Sequence, residues 1–213
     1  MGTPGSVPHA VRWDAMRITK YTHACVRLEH EGRVLVIDPG VWSEPAALTG
    51  ADAVLVTHEH ADHIDVLRLA GLGVPVHAPA DARIPRLEFN GVTAEGELTV
   101  AGFHVRPVGG RHAVVHGGLP DCANLGYIID GAVYHPGDSL HVPDQPVDTL
   151  LVPAQGSWMR TSEAIDFVKA IGPRRTFPIH DAQINSRGLD SVNGWLTETT
   201  DHGYRCLSPG ESV

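Results

Sequence analysis

The sequence is poor in cysteine, has no long apolar run and lacks clustered basic residues, and each shortage excludes a class of protein. Cys25, Cys122 and Cys206 are odd in number, far apart and outside any CxxC pattern. We therefore expect reduced, mostly buried thiols in a cytoplasmic protein. No apolar run approaches the length of a membrane span, so a membrane partner is not expected.

Basic residues are outnumbered, with 16 lysines and arginines against 25 aspartates and glutamates, a formal net charge of −9. Arg174 and Arg175 form the only adjacent basic pair. Since phosphate backbones are bound by clustered basic side chains, a nucleic-acid partner is not expected. A small-molecule substrate is expected instead. A hydrophobic content of 42% suits one folded domain, predicted over residues 14–213 after a flexible tail over residues 1–13.

Short strand patterns dominate the chain. CVRLEH alternates apolar and polar residues and RVLVID is almost wholly apolar, while Ala101-Gly102 and Asp130-Gly131 each predict a hairpin turn. Strands come first and strand–helix alternation follows. This order predicts a mixed, layered α/β domain rather than a doubly wound parallel sheet.

Three helices are predicted between and after the strands. DHIDVLRLAG would place Ile64, Leu67 and Ala70 on one buried face. TSEAIDFVKAIGP would do the same with Ile165, Val168 and Ile171, and would end at Gly172. A weaker helical pattern runs through INSRGLDSVNGWLTETT.

The stretch VLVTHEHADHID concentrates histidine and carboxylate directly behind a buried strand. His58 and His60 are two residues apart, which puts both on one face only if the segment is extended. This spacing excludes the helical H-E-x-x-H arrangement and turns Glu59 away. Asp62 and His63 are expected to open the next helix, where they could face a second metal or the first. Asp62 could equally serve only as a helix cap.

Imidazole and carboxylate ligands suit zinc, manganese or iron. No cysteine stands near the cluster in the sequence, which argues against a closed, thiolate-rich structural zinc site. Other polar residues follow strands elsewhere, as His112, Asp138 and His180 do. Ligands drawn from separate loops are typical of a catalytic site.

THEHADH matches the H-x-H-x-D-H signature of the metallo-β-lactamase superfamily. His112 in GGRHA, Asp138 in HPGDSL and His180 in FPIHD follow in the superfamily's order, and Asp38 in VLVIDPG resembles its early aspartate turn. The resemblance covers about residues 16–182. It implies a four-layer αβ/βα sandwich, in which two packed mixed β-sheets are flanked by helices and the site lies at one edge.

The resemblance also implies a dinuclear centre of two divalent ions, zinc first, with manganese or iron as alternatives. One ion would be held by His58, His60 and His112, the other by Asp62, His63 and His180, with Asp138 bridging them. β-Lactamases lack that bridging aspartate, so antibiotic hydrolysis is not expected. The short chain and segments such as YTHACVRLEH most resemble the branch that contains L-ascorbate-6-phosphate lactonase, a branch that often forms homo-oligomers.

These features predict a metal-dependent hydrolase in which a metal-bridging hydroxide attacks a small ester, lactone or phosphodiester. Asp62 would orient the hydroxide, and Asp138 would be the second catalytic residue. Two alternatives stay open: a mononuclear iron enzyme such as a thiol-linked oxygenase, and a non-catalytic metal-binding domain.

Five further residues are candidates for substrate binding, each with a plainer alternative as a surface, loop or core residue. His23 could instead support the metal ligands, His141 could serve as a proton donor, and Trp158 with Met159 could form an apolar wall. The five are His23, His116, Asn124, His141 and Trp158.

Overall fold

The computed structural model describes residues 16–94, 96–119 and 121–213, so the tail predicted over residues 1–13 lies outside the described residues. The first half of the chain forms a six-stranded sheet whose spatial order follows the sequence. The first three strands are antiparallel and the last three join in parallel. They are β1 (Arg17–Lys20), β2 (Val26–His30), β3 (Arg33–Ile37), β4 (Ala53–Leu55), β5 (Val76–Pro79) and β6 (Asn90–Val92).

The second half forms another six-stranded sheet, also in sequence order from one edge to the other. Its first four strands are antiparallel, with the predicted hairpin turns at Ala101-Gly102 and Asp130-Gly131, and its last two join in parallel. They are β7 (Leu98–Val100), β8 (Phe103–Arg111), β9 (Ala123–Ile129), β10 (Val133–His135), β11 (Thr149–Pro153) and β12 (Arg175–Ile179).

Both faces of each sheet are buried, because alternate side chains of one strand enter different apolar clusters. On β3, Leu35 and Ile37 enter the cluster between the sheets, which Leu151 of β11 joins from the other side. Val36 points the opposite way, into the outer cluster of the first sheet. Val152 enters the corresponding outer cluster of the second. The predicted α/β sandwich of two mixed sheets is confirmed.

Helices α2 (Thr161–Ile171) and α3 (Ser186–Thr199) cover the outer face of the second sheet. Phe167 and Val168 of α2 and Leu196 of α3 are buried there. The predicted stripe is therefore correct at Val168, while Ile165 and Ile171 pack at its partly buried margin. The predicted end is also correct, since Gly172 has the left-handed φ of 61° that closes such helices.

Helix α1 (Val66–Ala70) corrects one prediction. It begins after Asp65, whose carboxylate accepts a 3.0 Å hydrogen bond from the amide of Arg68. Asp62 and His63 lie in the preceding turn and do not open the helix. Of the predicted face, Ile64 is buried but lies before the helix, whereas Leu67 is 80% exposed and Ala70 is also exposed; Leu69 is the buried residue of the helix.

The cysteine prediction is also wrong in part. Cys25 is buried, but Cys122 is half-buried and Cys206 is exposed. Over the residues that the structure describes, none of the helices has the length and apolar character needed to cross a membrane.

Candidate metal centre

Two groups of potential metal ligands meet where strands of both sheets end. His58 and His60 follow β4, and Asp138 and His180 follow β10 and β12. Within each group, one ligand atom per residue lies within 4.8 Å of the others. The groups are His58, His60, His112 and Asp138, and His23, Asp62, His63 and His180. The structure thus brings together all seven residues predicted as ligands and adds His23.

The carboxylate of Asp138 stands between the two groups. Its Oδ2 lies 3.2 Å from Nε2 of His112 in the first group and 3.0 Å from Nε2 of His180 in the second. Its Oδ1 lies 3.0 Å from Nε2 of His63. One side chain therefore reaches donors of both groups, as a bridging ligand must.

Two buried atoms of this cluster test whether the residues suit a cation. Oδ1 of Asp138 and Nε2 of His63 are close, yet their geometry leaves each without a hydrogen-bond partner among the described residues. Buried polar atoms without partners are costly, and a cation ligated by both would remove that cost. With imidazole and carboxylate as the only donor types in both groups, the residues fit a divalent ion such as zinc, manganese or iron.

The histidine rings are oriented by bonds made on their far side. Nδ1 of His63 donates to Oδ2 of Asp38 over 2.7 Å, and Nδ1 of His112 donates to the carbonyl of Ala113 over 2.6 Å. Nδ1 of His180 donates to the carbonyl of Gln155. Each bond leaves Nε2 free to face the cluster, which is the arrangement of histidine ligands at metal sites.

Asp38 is itself fixed by two bonds from one residue. Thr57 donates its amide to Oδ1 over 2.7 Å and its hydroxyl to Oδ2 over 2.6 Å. Asp38 has a φ of 51°, and His23 and His180 have φ values of 66° and 55°. Left-handed backbone at non-glycine residues costs free energy and concentrates at functional sites.

Most of these side chains have pKa values that leave them in the form that can bind a metal ion: a neutral imidazole or an ionised carboxylate. Burial lowers the pKa of His58 well below its usual value and also lowers the pKa of His60. Burial would raise the pKa of Asp138, but the charge of His63 and hydrogen bonds from neighbouring histidines hold it well below the usual range. Burial opposes a charge on His63 as well, yet Asp138 and Asp38 raise its pKa well above normal. The paired carboxylates thus draw positive charge to this position.

His23 supports the second group. It is buried, and its Nδ1 accepts a 3.3 Å hydrogen bond from the amide of Ala182, so Nε2 is the atom that donates to Oδ2 of Asp62 over 3.2 Å. Burial would raise the pKa of Asp62, but the bond from His23 and the charges of nearby histidines lower it to about 2. His23 therefore contacts a candidate ligand, Asp62, rather than open space.

The other four substrate-binding candidates lie in different places relative to the two ligand groups. Asn124 is buried and orders the loop of Asp138, the plainer alternative for this residue: it donates to the carbonyl of Pro136 and accepts from the amide of Asp138, both over 2.9 Å. Trp158 lies inside the site, where Nε1 donates to Oδ2 of Asp138 over 3.1 Å. His116 is exposed and lines a cavity beside the first group. His141 is exposed and packs near Gly109 instead.

Met159, predicted with Trp158 as part of an apolar wall, packs against the outer core of the second sheet. Glu59 faces the backbone amide of Arg83, away from both groups, as its spacing predicted.

Sequence reasoning missed two neighbours of the site. Sγ of Cys122 lies 3.9 Å from Nε2 of His60, which corrects the expectation that no cysteine stands near the cluster. The error arose because Cys122 is 62 residues from His60 along the chain. Gly40 is the second: a Cβ there would lie 1.8 Å from the carbonyl oxygen of Asp62, so only glycine permits this approach.

Comparison with known proteins gives one family model and several full-length relatives. A model described as the beta-lactamase superfamily domain matches residues 17–180. Protein Rv0786c of Mycobacterium tuberculosis is 37% identical over 210 residues, which cover 93% of this chain and 99% of that protein. A UPF0173 metal-dependent hydrolase of Methanoregula boonei is 33% identical over 227 residues, covering 93% of this chain and 97% of that one.

Among solved structures, Igni18, a metallo hydrolase from the archaeon Ignicoccus hospitalis, superposes with a TM-score of 0.72. The superposition covers 93% of this chain and 97% of Igni18. The sequences are only 19% identical, so this likeness supports the fold alone.

Proposed function

Since the chain belongs to the beta-lactamase superfamily, and within it to the UPF0173 metal-dependent hydrolase family, we propose that it is a metal-dependent hydrolase with a dinuclear centre. Its substrates would be small esters, lactones or phosphodiesters. The observation that carries this proposal is the position of Asp138, whose two carboxylate oxygens face histidines of both ligand groups.

In this proposal, His58, His60 and His112 would hold one ion, and Asp62, His63 and His180 would hold the other, with Asp138 contributing to both. Divalent ions bound there, zinc first and manganese or iron as alternatives, would supply a hydroxide nucleophile at neutral pH and stabilise the developing negative charge. Asp62 would orient the nucleophile, and the bond from His23 would hold that carboxylate in place.

Trp158 would act on the same carboxylate from the other side. Its indole N–H donates to Oδ2 of Asp138, and its ring centroid lies 6.1 Å from that of His112 and 5.9 Å from that of His180. A bulky indole in this place would fix the bridging carboxylate and limit the entry of water.

We further propose that residues 14–213 act as one cytoplasmic domain that can form homo-oligomers, as in the lactonase branch that the sequence resembles. A lactone is then the first substrate to test. Mass measurement in solution would establish the oligomeric state.

The experiment is metal reconstitution followed by a substrate panel. Protein stripped with a chelator would be reloaded separately with zinc, manganese or iron, assayed for bound metal, and tested on esters, lactones and phosphodiesters. We expect two ions per chain and hydrolysis in at least one substrate class. One iron per chain with thiol-dependent oxygen consumption would instead favour an oxygenase. Full metal loading without any turnover would favour a metal-binding domain without catalysis.

A further inference from the structure

A cavity of about 500 Å³ opens beside the first ligand group. His60 and His112, both candidate ligands, are among the residues that line it, and the segment that follows His112 forms much of its wall. A cavity of this size suits a small organic ligand. Any group that reacts at the metal centre can therefore extend into it.

The wall presents apolar side chains that are largely exposed. Val114 is 74% exposed, Val115 is 46% exposed and Leu119 is 57% exposed, and all three line the cavity. A cluster of exposed apolar side chains beside a candidate active site is typical of a ligand-binding surface.

The charge of the cavity wall also favours an uncharged ligand. Among the described residues that line it there is no lysine or arginine. Asp121 supplies the carboxylate there, and Oδ2 of Asp121 accepts a 2.7 Å hydrogen bond from Nε of Arg111. An anionic group placed along this wall would meet apolar side chains and a carboxylate already paired with Arg111, so the wall offers it no free cationic side chain of lysine or arginine.

We propose, on the basis of the proposed function, that this cavity binds the apolar substituent of a neutral carboxylic ester or lactone. The carbonyl group would lie at His60 and His112, and the hydrocarbon would extend along Val114, Val115 and Leu119. In the reaction, the bond between the acyl carbon and the ester oxygen breaks and a bond from that carbon to the oxygen of water forms. The leaving alcohol or ring oxygen takes up a proton from the water, and no oxidant or reductant takes part.

The first test compares substrates on the metal-loaded protein by acid release: ethyl acetate, ethyl octanoate, octyl acetate and diethyl phosphate. We expect kcat/KM to be at least about tenfold higher for one of the octyl or octanoyl esters than for ethyl acetate. The pair also shows whether the cavity takes the acyl or the alcohol side. Equal kcat/KM for all three carboxylic esters, or a preference for diethyl phosphate, would overturn the inference while leaving the proposed function intact.

The second test places a charge in the cavity. Val115→Asp and Leu119→Asp should each raise KM for the preferred long-chain ester at least about tenfold, and by a clearly larger factor than KM for ethyl acetate, with metal content unchanged. Leu67→Asp is the matched control, since Leu67 is exposed on α1 and does not line the cavity. An equal loss on both esters, or no loss on either, would count against the inference.

A binding measurement covers the case in which none of these esters is hydrolysed; the proposed function would be contradicted only if the lactones and phosphodiesters of the wider panel were not hydrolysed either. Calorimetric titration of the metal-loaded protein with octan-1-ol should then show binding that Val115→Asp abolishes and Leu67→Asp retains. Absence of binding would overturn the inference. So would a loss of self-association in Val115→Asp, measured by light scattering, because the apolar wall would then be an interface between copies of the chain.

Discussion

Oδ1 of Asp138 and Nε2 of His63 face each other 3.0 Å apart across the junction of the two sheets. Asp138 follows β10 of the second sheet, and His63 lies in the turn after β4 of the first. The candidate centre is therefore assembled only when the sheets pack in the correct register. The central apolar cluster, which contains Leu35 of β3 and Leu151 of β11, sets that register.

Replacement of Asp138 tests the bridging position. Asp138→Ala should lower the bound metal from two ions to one or fewer and reduce turnover by more than about 100-fold, beyond the 10–100-fold effect of a residue that only supports a ligand. Metal analysis and steady-state kinetics would measure both. Asp166→Ala, at an exposed carboxylate of α2, is the control. Unchanged metal content and turnover in Asp138→Ala would contradict the assignment.

Asp38 offers a milder test of how the ligands are held. Asp38→Asn preserves shape but weakens the bond that orients His63, so metal affinity should fall about 10–100-fold. Competition with a chromogenic chelator would measure this affinity. Asp52→Asn is a suitable control, because the carboxylate of Asp52 accepts a 2.8 Å hydrogen bond from the amide of Val34 and belongs to neither ligand group. Equal affinities in the two variants would show that Asp38 is not an orienting residue.

The phase of α1 can be checked by two leucines. Leu69→Ala removes a buried side chain and should lower the free energy of unfolding by about 2–5 kcal/mol. Leu67→Ala trims an 80% exposed side chain and should change it by no more than about 0.5 kcal/mol. Denaturant titration would measure both. The opposite ranking would restore the helix face predicted from the sequence.

Gly40 tests whether the close approach of its backbone to the carbonyl of Asp62 requires glycine. Gly40→Ala would force the two backbones apart, so we expect a loss of about 1–3 kcal/mol in unfolding free energy together with weaker metal binding. Gly194→Ala is the control: a Cβ there meets nothing within 4 Å, and alanine in α3 should stabilise the protein by about 1 kcal/mol. An unchanged free energy of unfolding in Gly40→Ala would show that the turn accommodates a Cβ without a loss of stability.

The gathering of the candidate ligands was predictable because their motifs occur in the order of the superfamily that the sequence resembles, and the mixed α/β fold was predictable because strand patterns come first and strand–helix alternation follows. The phase of α1 was not, since a five-residue helix offers too little periodicity and its cap, Asp65, was one of three nearby acidic candidates. The contacts of His23 with Asp62 and of Cys122 with His60 were also beyond the sequence. Both join residues far apart in the chain that meet only after the sheets pack.

The left-handed backbone of His23, Asp38 and His180 lowers the free energy of unfolding, so the geometry of the centre is built at some expense of stability. Each position costs about 1–3 kcal/mol that glycine would relieve. Glycine at any of the three would relieve this strain but would remove a buried side chain together with its hydrogen bonds to the centre. Engineering this protein for robustness must keep them fixed and seek its gains elsewhere.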